Sequence, residues 1–438
     1  MNPVRLIARI ALVALAAALL CAGAQAQDLK VRADHADAKY AAGDTATFRI
    51  EVTGADAASV TTVEYLLKKC GGTEMGRGNV TLADGAGTFQ ATLAEPGTVL
   101  AEVKAKAGSK NLKALAGAAF SFDAIKPTAP KPDDFDAFWA AKIKELAETP
   151  ASAVLTPAKS PNASVERFQI TMDGFRGTKI HGQLARPKGQ APRPALLVVQ
   201  WAGVYPLQDW MVIGPAAEGF LVLNIMAHDL PINESEAFYK EQSAGPLKNY
   251  MGIGRTDREK NYFLRMYLSA YRAADYLASR PDWDGKSLAV TGTSQGGLQA
   301  LMLAGLHPKV TAALANVPAG CDQAGLLAGR ACGWPAIGQW LQGAEQKKVF
   351  EVSRYFDVVN FAAAIKCPVL VSAGMIDETC PPSGVIAAAN QTQGPREIVI
   401  LPLSDHSGRE KSQDPMFSRM GAWRAAILQG KPLPPPAK

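Results

Sequence analysis

The segment that most restricts the fold is Gly292-Thr293-Ser294-Gln295-Gly296, because of what flanks it. Leu288-Ala289-Val290 before it is a short apolar run that reads as a buried strand. Leu298-Gln299-Ala300-Leu301-Met302-Leu303 after it reads as a helix. A strand that passes straight into a helix through a Gly-x-Ser-x-Gly turn strains the backbone and lifts the serine hydroxyl clear of it. Glycines flank the serine because side chains there would collide with the strand or the helix. The bland alternative for Ser294 is a helix N-cap that does no chemistry. The strand–turn–helix context favours a nucleophile.

A length of 438 residues admits two or three domains. With 48% hydrophobic and 20% charged residues, the composition excludes a disordered chain. Residues 1–26 read as an export signal: Arg5 and Arg9 at the start, an apolar core over residues 10–20, and the small-x-small site Ala24-Gln25-Ala26. That core is short for a membrane span of about 20 residues. Cys21 follows Leu20, a poor context for lipid attachment, and no later segment is apolar enough to cross a bilayer. The expectation is a periplasmic or secreted protein with no membrane partner after cleavage. Net charge is +6, falling to +4 once the two leader arginines are removed, with no dense basic stripe. Nucleic acid is therefore not an expected partner.

Five cysteines follow the leader: Cys70, Cys321, Cys332, Cys367 and Cys380. An odd number leaves at least one thiol free or paired between chains. Cys321 and Cys332 share a loop-rich region where a bridge would fit. Cys367 and Cys380 flank a strand whose ends lie about 20 Å apart, which disfavours that pair. No cysteine spacing suggests zinc, and no metal is expected.

Residues 27–125 alternate between apolar and polar positions. Ala46, Phe48, Ile50 and Val52 face one way, as do Val63, Tyr65 and Leu67, then Phe89, Ala91 and Leu93, then Val99, Ala101 and Val103. Short strands with Gly-rich turns such as Asp84-Gly85-Ala86-Gly87 predict a small Ig-like β-sandwich, read as structural or accessory. The prolines of residues 126–132 mark a linker. The catalytic domain is expected from 126 to the end. It opens on an amphipathic helix whose Phe135, Phe138, Trp139, Ile143 and Leu146 share one face. From about residue 165 strands and helices alternate. Residues 165–172 and 179–186 read as a hairpin. Strands are expected at 195–200, 220–226, 287–291, 310–316, 368–373 and 397–401. A helix at 261–279 and others between the strands give a doubly wound sheet, with its functional loops at the carboxyl ends of the strands.

A serine needs a base, and the base needs a carboxylate to orient it. Of five histidines, only His307 and His406 follow Ser294. His307 lies at the far end of the helix that starts at the serine, about 20 Å away, so it reads as a helix end. His406 follows the strand at 397–401 in a loop and is the expected base. The acid should end an earlier strand, and Asp377, just past 368–373, is expected over Glu378. Asp405 adjoins His406 and points poorly. Asp357 precedes its strand and is placed at the wrong end of the sheet. The oxyanion of an acyl-transfer intermediate needs two amides. Gln295 supplies one. The loop Trp201-Ala202-Gly203-Val204-Tyr205 supplies the other, from Val204 or Tyr205. Trp201, Tyr205 and Trp334 are candidates for an aromatic sugar floor, with core packing as the competing role.

Together these segments resemble the acetylxylan esterase and cephalosporin C deacetylase family, carbohydrate esterase family seven, over roughly residues 130–425. Asp133-Asp134-Phe135-Asp136-Ala137-Phe138-Trp139 is similar to its opening helix. Gly292-Thr293-Ser294-Gln295-Gly296-Gly297 is similar to its serine turn, Asn316-Val317-Pro318 with Cys321-Asp322 to its next strand end, and Asp377-Glu378-Thr379-Cys380-Pro381-Pro382 to its acid loop. The resemblance implies an α/β-hydrolase fold, a Ser294–Asp377–His406 triad and release of acetate from sugars or xylo-oligosaccharides without cofactor or metal. It also implies a homo-oligomer, since members often form hexamers. The chain departs from the pattern at Met226-Ala227-His228-Asp229, at Ala202-Gly203-Val204 and at Ser407. Two other functions compete. A prolyl-oligopeptidase-type peptidase would need a longer front domain for its propeller. A non-catalytic carbohydrate-binding protein would not need all three triad members.

Overall fold

The computed structural model describes residues 28–436, apart from 55, 56 and 190. The leader expected at residues 1–26 lies outside the described residues.

The described residues of the first part of the chain form eight strands: β1 (Asp28–Ala33), β2 (Lys39–Tyr40), β3 (Thr45–Thr53), β4 (Thr62–Lys69), β5 (Thr73–Thr81), β6 (Ala86–Thr92), β7 (Gly97–Ala107) and β8 (Lys110–Phe120). They make a three-stranded sheet, β1-β3-β6, and a five-stranded sheet, β2-β8-β7-β4-β5. Alternation is the cause. Ala46, Phe48, Ile50 and Val52 are buried between the sheets, with Val63, Phe89, Val99 and Val103. Phe48 sits opposite Phe89 in register, and the two rings stack at 5.2 Å.

The second part holds a nine-stranded sheet: β9 (Val154–Ala158), β10 (Val165–Asp173), β11 (Lys179–Pro187), β12 (Arg193–Val199), β13 (Leu221–Ile225), β14 (Trp283–Thr293), β15 (Ala312–Asn316), β16 (Val369–Gly374) and β17 (Arg396–Leu401). Its order is β17-β16-β15-β14-β12-β13-β11-β10-β9. β12 to β17 pair in parallel, and β9 to β11 form an antiparallel edge. The parallel strands are buried on both sides, so they read as continuous apolar runs. Leu197 and Val199 enter one core, while Leu196 and Val198 enter the other. On the first face lie α1 (Phe135–Ala147), α4 (Tyr262–Ser279), α5 (Gln295–Leu306), α7 (Val358–Ala362) and α8 (Pro382–Asn390). On the second lie α2 (Trp210–Glu218) and α9 (Asp414–Leu428). Two more helices, α3 (Glu236–Ala244) and α6 (Gly343–Ser353), stand in the loops beyond the sheet's carboxyl edge. The architecture is a doubly wound α/β-hydrolase sheet behind a β-sandwich. On α1, Phe135, Phe138, Trp139 and Leu146 are buried as the periodicity predicts, and Ile143 is partly buried. β14 starts at Trp283 rather than at 287, because Arg193 on β12 already pairs there. No helix among the described residues is long and apolar enough to cross a membrane.

The sandwich packs directly on the sheet domain. Even-numbered residues of β8 (Leu112, Ala114, Ala116, Ala118 and Phe120) point into the sandwich core, whereas Ala119 belongs to the core of the second part. Gly117 lies so close to the backbone after β16 that a Cβ there would sit 2.4 Å from the Met375 carbonyl oxygen. Asn390 on α8 donates to the carbonyls of Phe122 and Ile125 (2.8 and 3.0 Å). Ala331 N donates to the Cys70 carbonyl at 3.0 Å. The expected Cys321–Cys332 bridge is absent, and all five described cysteines are free thiols. The Cys321 thiol turns instead toward the carbonyls of Pro318 and Ala319.

Candidate active site

Ser294 sits between β14 and α5 with φ 58° and ψ −120°, a strained backbone for a residue with a side chain. The surroundings enforce it. Its amide donates to the Asn316 carbonyl at the end of β15, and its carbonyl accepts from the amides of Leu298 and Ala319. The glycines are required by space. A Cβ on Gly292 would lie 2.4 Å from the backbone of Gly296, one on Gly296 2.5 Å from the Val199 carbonyl oxygen, and one on Gly297 2.9 Å from Pro318. The turn therefore wedges α5 against β12 and β15 and leaves the hydroxyl at the carboxyl edge of the sheet.

The residues expected to act with Ser294 are brought to it. His406, in the loop after β17, has Nε2 2.9 Å from Ser294 Oγ and Nδ1 2.8 Å from Asp377 Oδ2. A carboxylate only accepts, so Nδ1 carries the proton and Nε2 is the acceptor facing the serine hydroxyl. The other carboxylate oxygen of Asp377 accepts from the amides of Thr379 and Cys380 at 2.8 and 2.7 Å. Its side chain is fully buried. The His406 carbonyl accepts from the Gln413 side chain at 3.2 Å, which holds the loop. Glu378 is exposed and faces Lys113 of β8, not the imidazole. Asp405 caps its own loop through Ser407 and Gly408. His307 ends α5 and bonds Asp275. Asp357 does not lie at the opposite end of the sheet as its place before β16 suggests. Its carboxylate accepts from the amides of Asp322 and Gln323, in the loop after β15, and from Val359. The long excursion between β15 and β16 brings it back, but those three amides, not a histidine, occupy it. Burial and the neighbouring Asp322 raise its pKa to about 7.

Cys380 completes the immediate surroundings. Its thiol faces Ser294, and burial pushes its pKa well up, so it stays a neutral thiol. Asp377, Cys380 and His406 present ligand-type atoms within 4.8 Å of one another. The Asp377 oxygens are already taken by two amides and the imidazole, which suits an orienting carboxylate better than an ion cage.

On the other side of Ser294 lies the loop after β12. Gln295 is fully buried, and its side-chain oxygen accepts from the Tyr250 hydroxyl. The Gly203 amide lies 3.4 Å from that same hydroxyl. The Gly203 carbonyl accepts from Nε2 of His228 at 2.9 Å. His228 Nδ1 is 2.7 Å from the Tyr262 hydroxyl, which in turn accepts from Arg265. This chain of partners fixes the tautomer: Nε2 carries the proton and the Tyr262 hydroxyl donates to Nδ1. Burial lowers the His228 pKa to about 4, so the ring is neutral near pH 7. Gln299 and Gln200 tie the same loop to α5 and to Ala227.

The acetyl xylan esterase (AXE1) family model matches residues 120–420. The chain belongs to the acetyl xylan esterase family. A curated relative, "Acetyl esterase Axe7A" of Xylanibacter ruminicola, is 37% identical over 291 residues. That match covers 66% of this chain and 66% of the relative, just under two thirds of the relative's length. Among solved structures, the acetyl xylan esterase from Paenibacillus sp. R4 superposes with a TM-score of 0.60 at 27% identity, covering 69% of this chain and 98% of that one. Acetyl xylan esterase 1 from Thermoanaerobacterium sp. JW/SL YS485 gives 0.58 at 24% identity, covering 68% and 96%, and supports the fold. Residues before 120 lie outside the family match, so this esterase-family chain carries its sandwich in addition.

The three aromatic candidates do not form one floor. Trp201 stacks on Tyr205 (5.3 Å) and on Trp210 (6.5 Å). Trp334 instead packs on Tyr250 and Phe263, with its amide on the Thr379 carbonyl. It braces the acid loop from the core side. His228 and Tyr250 belong to the site without a motif of their own in the sequence, and the departure from the family pattern at 226–229 is the signal that points to His228.

Proposed function

We propose that this chain is a serine esterase that removes acetyl groups from carbohydrates through an acyl-enzyme. The observation that carries the reading is the unbroken series Ser294 Oγ, His406 Nε2, His406 Nδ1, Asp377 Oδ2, with both links under 3 Å. In this scheme His406 takes the serine proton as Ser294 Oγ bonds to the ester carbonyl carbon. The proton then passes to the sugar oxygen as the carbon–oxygen bond breaks, leaving acetyl on Ser294 and a free hydroxyl on the sugar. Water attacks the acetyl-enzyme with His406 again as base, and acetate leaves. Asp377 holds the tautomer and stabilises the imidazolium.

The negative oxygen of each tetrahedral intermediate meets amides at the start of α5 and in the loop after β12. The Gln295 amide follows the nucleophile, at a helix start whose first N–H groups lack helical partners. For the second donor, Val204 is favoured over Tyr205 by peptide planarity. His228 holds the Gly203 carbonyl, and in a trans peptide the Val204 N–H points the opposite way, away from His228.

The sugar and the acetyl ester both draw on the family, described as acetyl xylan esterase, and the curated relative is named an acetyl esterase. Export through the leader is part of the same proposal, since such polymers lie outside the cell. The test is acetate release from acetylated xylan, acetylated pectin and peracetylated xylose by wild type and Ser294→Ala. Loss of activity by about three or more orders of magnitude in the variant is expected. An active Ser294→Ala enzyme refutes the mechanism, and a wild type inactive on every acetylated saccharide refutes the substrate class.

A further inference from the structure

A groove at the triad's rim has one wall that the matched family region does not supply. Its volume is about 770 Å3, within the roughly 300–1,000 Å3 of ligand sites, and its lining runs from His406 to Lys113 and Leu115 of the sandwich strand β8. Strand geometry explains how the sandwich reaches it. Residues 113, 115, 117 and 119 share one face, because successive side chains of a strand alternate. Ala119 and Gly117 on that face are pressed into the sheet domain at the acid loop. The same face, followed outward, delivers Leu115 and Lys113 to the groove. Lys113 reaches across to Glu378, the neighbour of Asp377, at 3.7 Å, and is held by Glu102 from β7 at 3.2 Å.

The groove's chemistry restricts its occupant. Lys113 is matched by Glu378, and Arg409 by Asp405 at 3.1 Å, with Glu410 as one further acid in the lining, so donors and acceptors are present with both signs of charge. Leu115, Ile376 and Leu403 add apolar surface, and Leu403 is 45% exposed. Mixed, mostly paired charges beside small apolar patches suit a neutral polyhydroxyl chain, whose hydroxyls take the polar groups and whose C–H faces take the leucines. A polyuronate would have to displace Glu378 and Asp405 from their cations and would meet the Glu410 carboxylate as well.

Resting on the esterase reading, we propose that the outer face of β8 is a subsite for the sugar portion of the ester, a neutral oligosaccharide extending past the acetylated residue. The sandwich is then a wall of the active site and not a tethered module. The experiment uses the full chain with Lys113→Ala, Leu115→Ala, the double variant, and Leu115→Trp, which fills the groove. Each is assayed on 4-nitrophenyl acetate and on acetylated xylotriose, with thermal melting as the fold control. The ratio of kcat/KM on the oligosaccharide to that on the aryl ester should fall about tenfold or more in the double variant and in Leu115→Trp, chiefly through KM. Lys113→Arg should recover most of the loss of Lys113→Ala. A ratio within twofold of wild type in both, or an equal fall on both substrates, overturns the proposal. The wild-type activities report separately on the esterase reading itself.

Discussion

His228 gives the molecule a calculable sensitivity to acid. In the folded protein its ring is 1% exposed and its pKa is lowered to about 4 from 6.5, mainly by burial and further by the Arg265 charge. Above pH 6.5 the ring is neutral folded or unfolded, and its contribution is constant. Between 6.5 and about 4 the unfolded chain binds a proton that the folded chain refuses, so stability falls as pH falls. Each pH unit in that window is worth about 1.4 kcal/mol, so acidification to pH 5 costs about 2 kcal/mol, and to pH 4 about 3 kcal/mol. His228→Gln keeps an N–H for the Gly203 carbonyl and cannot titrate. The variant should be less stable at pH 7, since it gives up the Tyr262 partner geometry, yet lose less on acidification. Urea unfolding of both proteins at pH 7, 6 and 5 measures this. Asp229 and the other carboxylates titrate in both proteins and cancel in the difference. The gap between the two stability curves should narrow by about 2 kcal/mol from pH 7 to pH 5. Parallel curves would refute the reasoning, because they would mean that the folded ring accepts a proton as readily as the unfolded one.

Asp377→Asn should lower kcat on the order of 10⁴-fold with little change in KM. An amide N–H facing Nδ1 reverses the tautomer and puts a proton on the nitrogen that must take one from Ser294. Steady-state kinetics on 4-nitrophenyl acetate reads the split, and a kcat within tenfold of wild type would exclude Asp377 as the orienting acid. Gly296→Ala should cost about 1–3 kcal/mol in a chemical denaturation experiment, because its Cβ would stand 2.5 Å from a backbone oxygen on a central strand that has little room to yield. Thiol titration should find Cys380 silent in the native protein at pH 8 and all five described cysteines reactive after denaturation. A count of three would reveal a bridge.

The triad was legible because a doubly wound sheet converts sequence order into position. Ser294, Asp377 and His406 each follow an apolar run recognisable as a buried strand, and parallel pairing puts all three strand ends on one edge. Asp357 shows where that logic stops. Its distance from β15 in sequence concealed a fold-back that no periodicity encodes, and only its partners remove it from contention. His228 was illegible for a different reason. A lone histidine gains meaning from a carbonyl in the loop after β12 and from a phenol and a guanidinium on α4, and neither element has a fixed spacing from it. The sandwich interface had a signal that alternation obscured. Ala114-Leu115-Ala116-Gly117-Ala118-Ala119-Phe120 is a continuous run of mostly small apolar residues, and a strand with one wet face would not need one. Residues 116–120 are buried on both sides because one face closes the sandwich and the other docks on the backbone that carries Asp377. The glycine in that run is the sharpest part of the signal. At position 117 any side chain would push the two units apart at the point where the acid loop is braced, so the same residue that weakens β8 as a strand couples the sandwich to the catalytic edge.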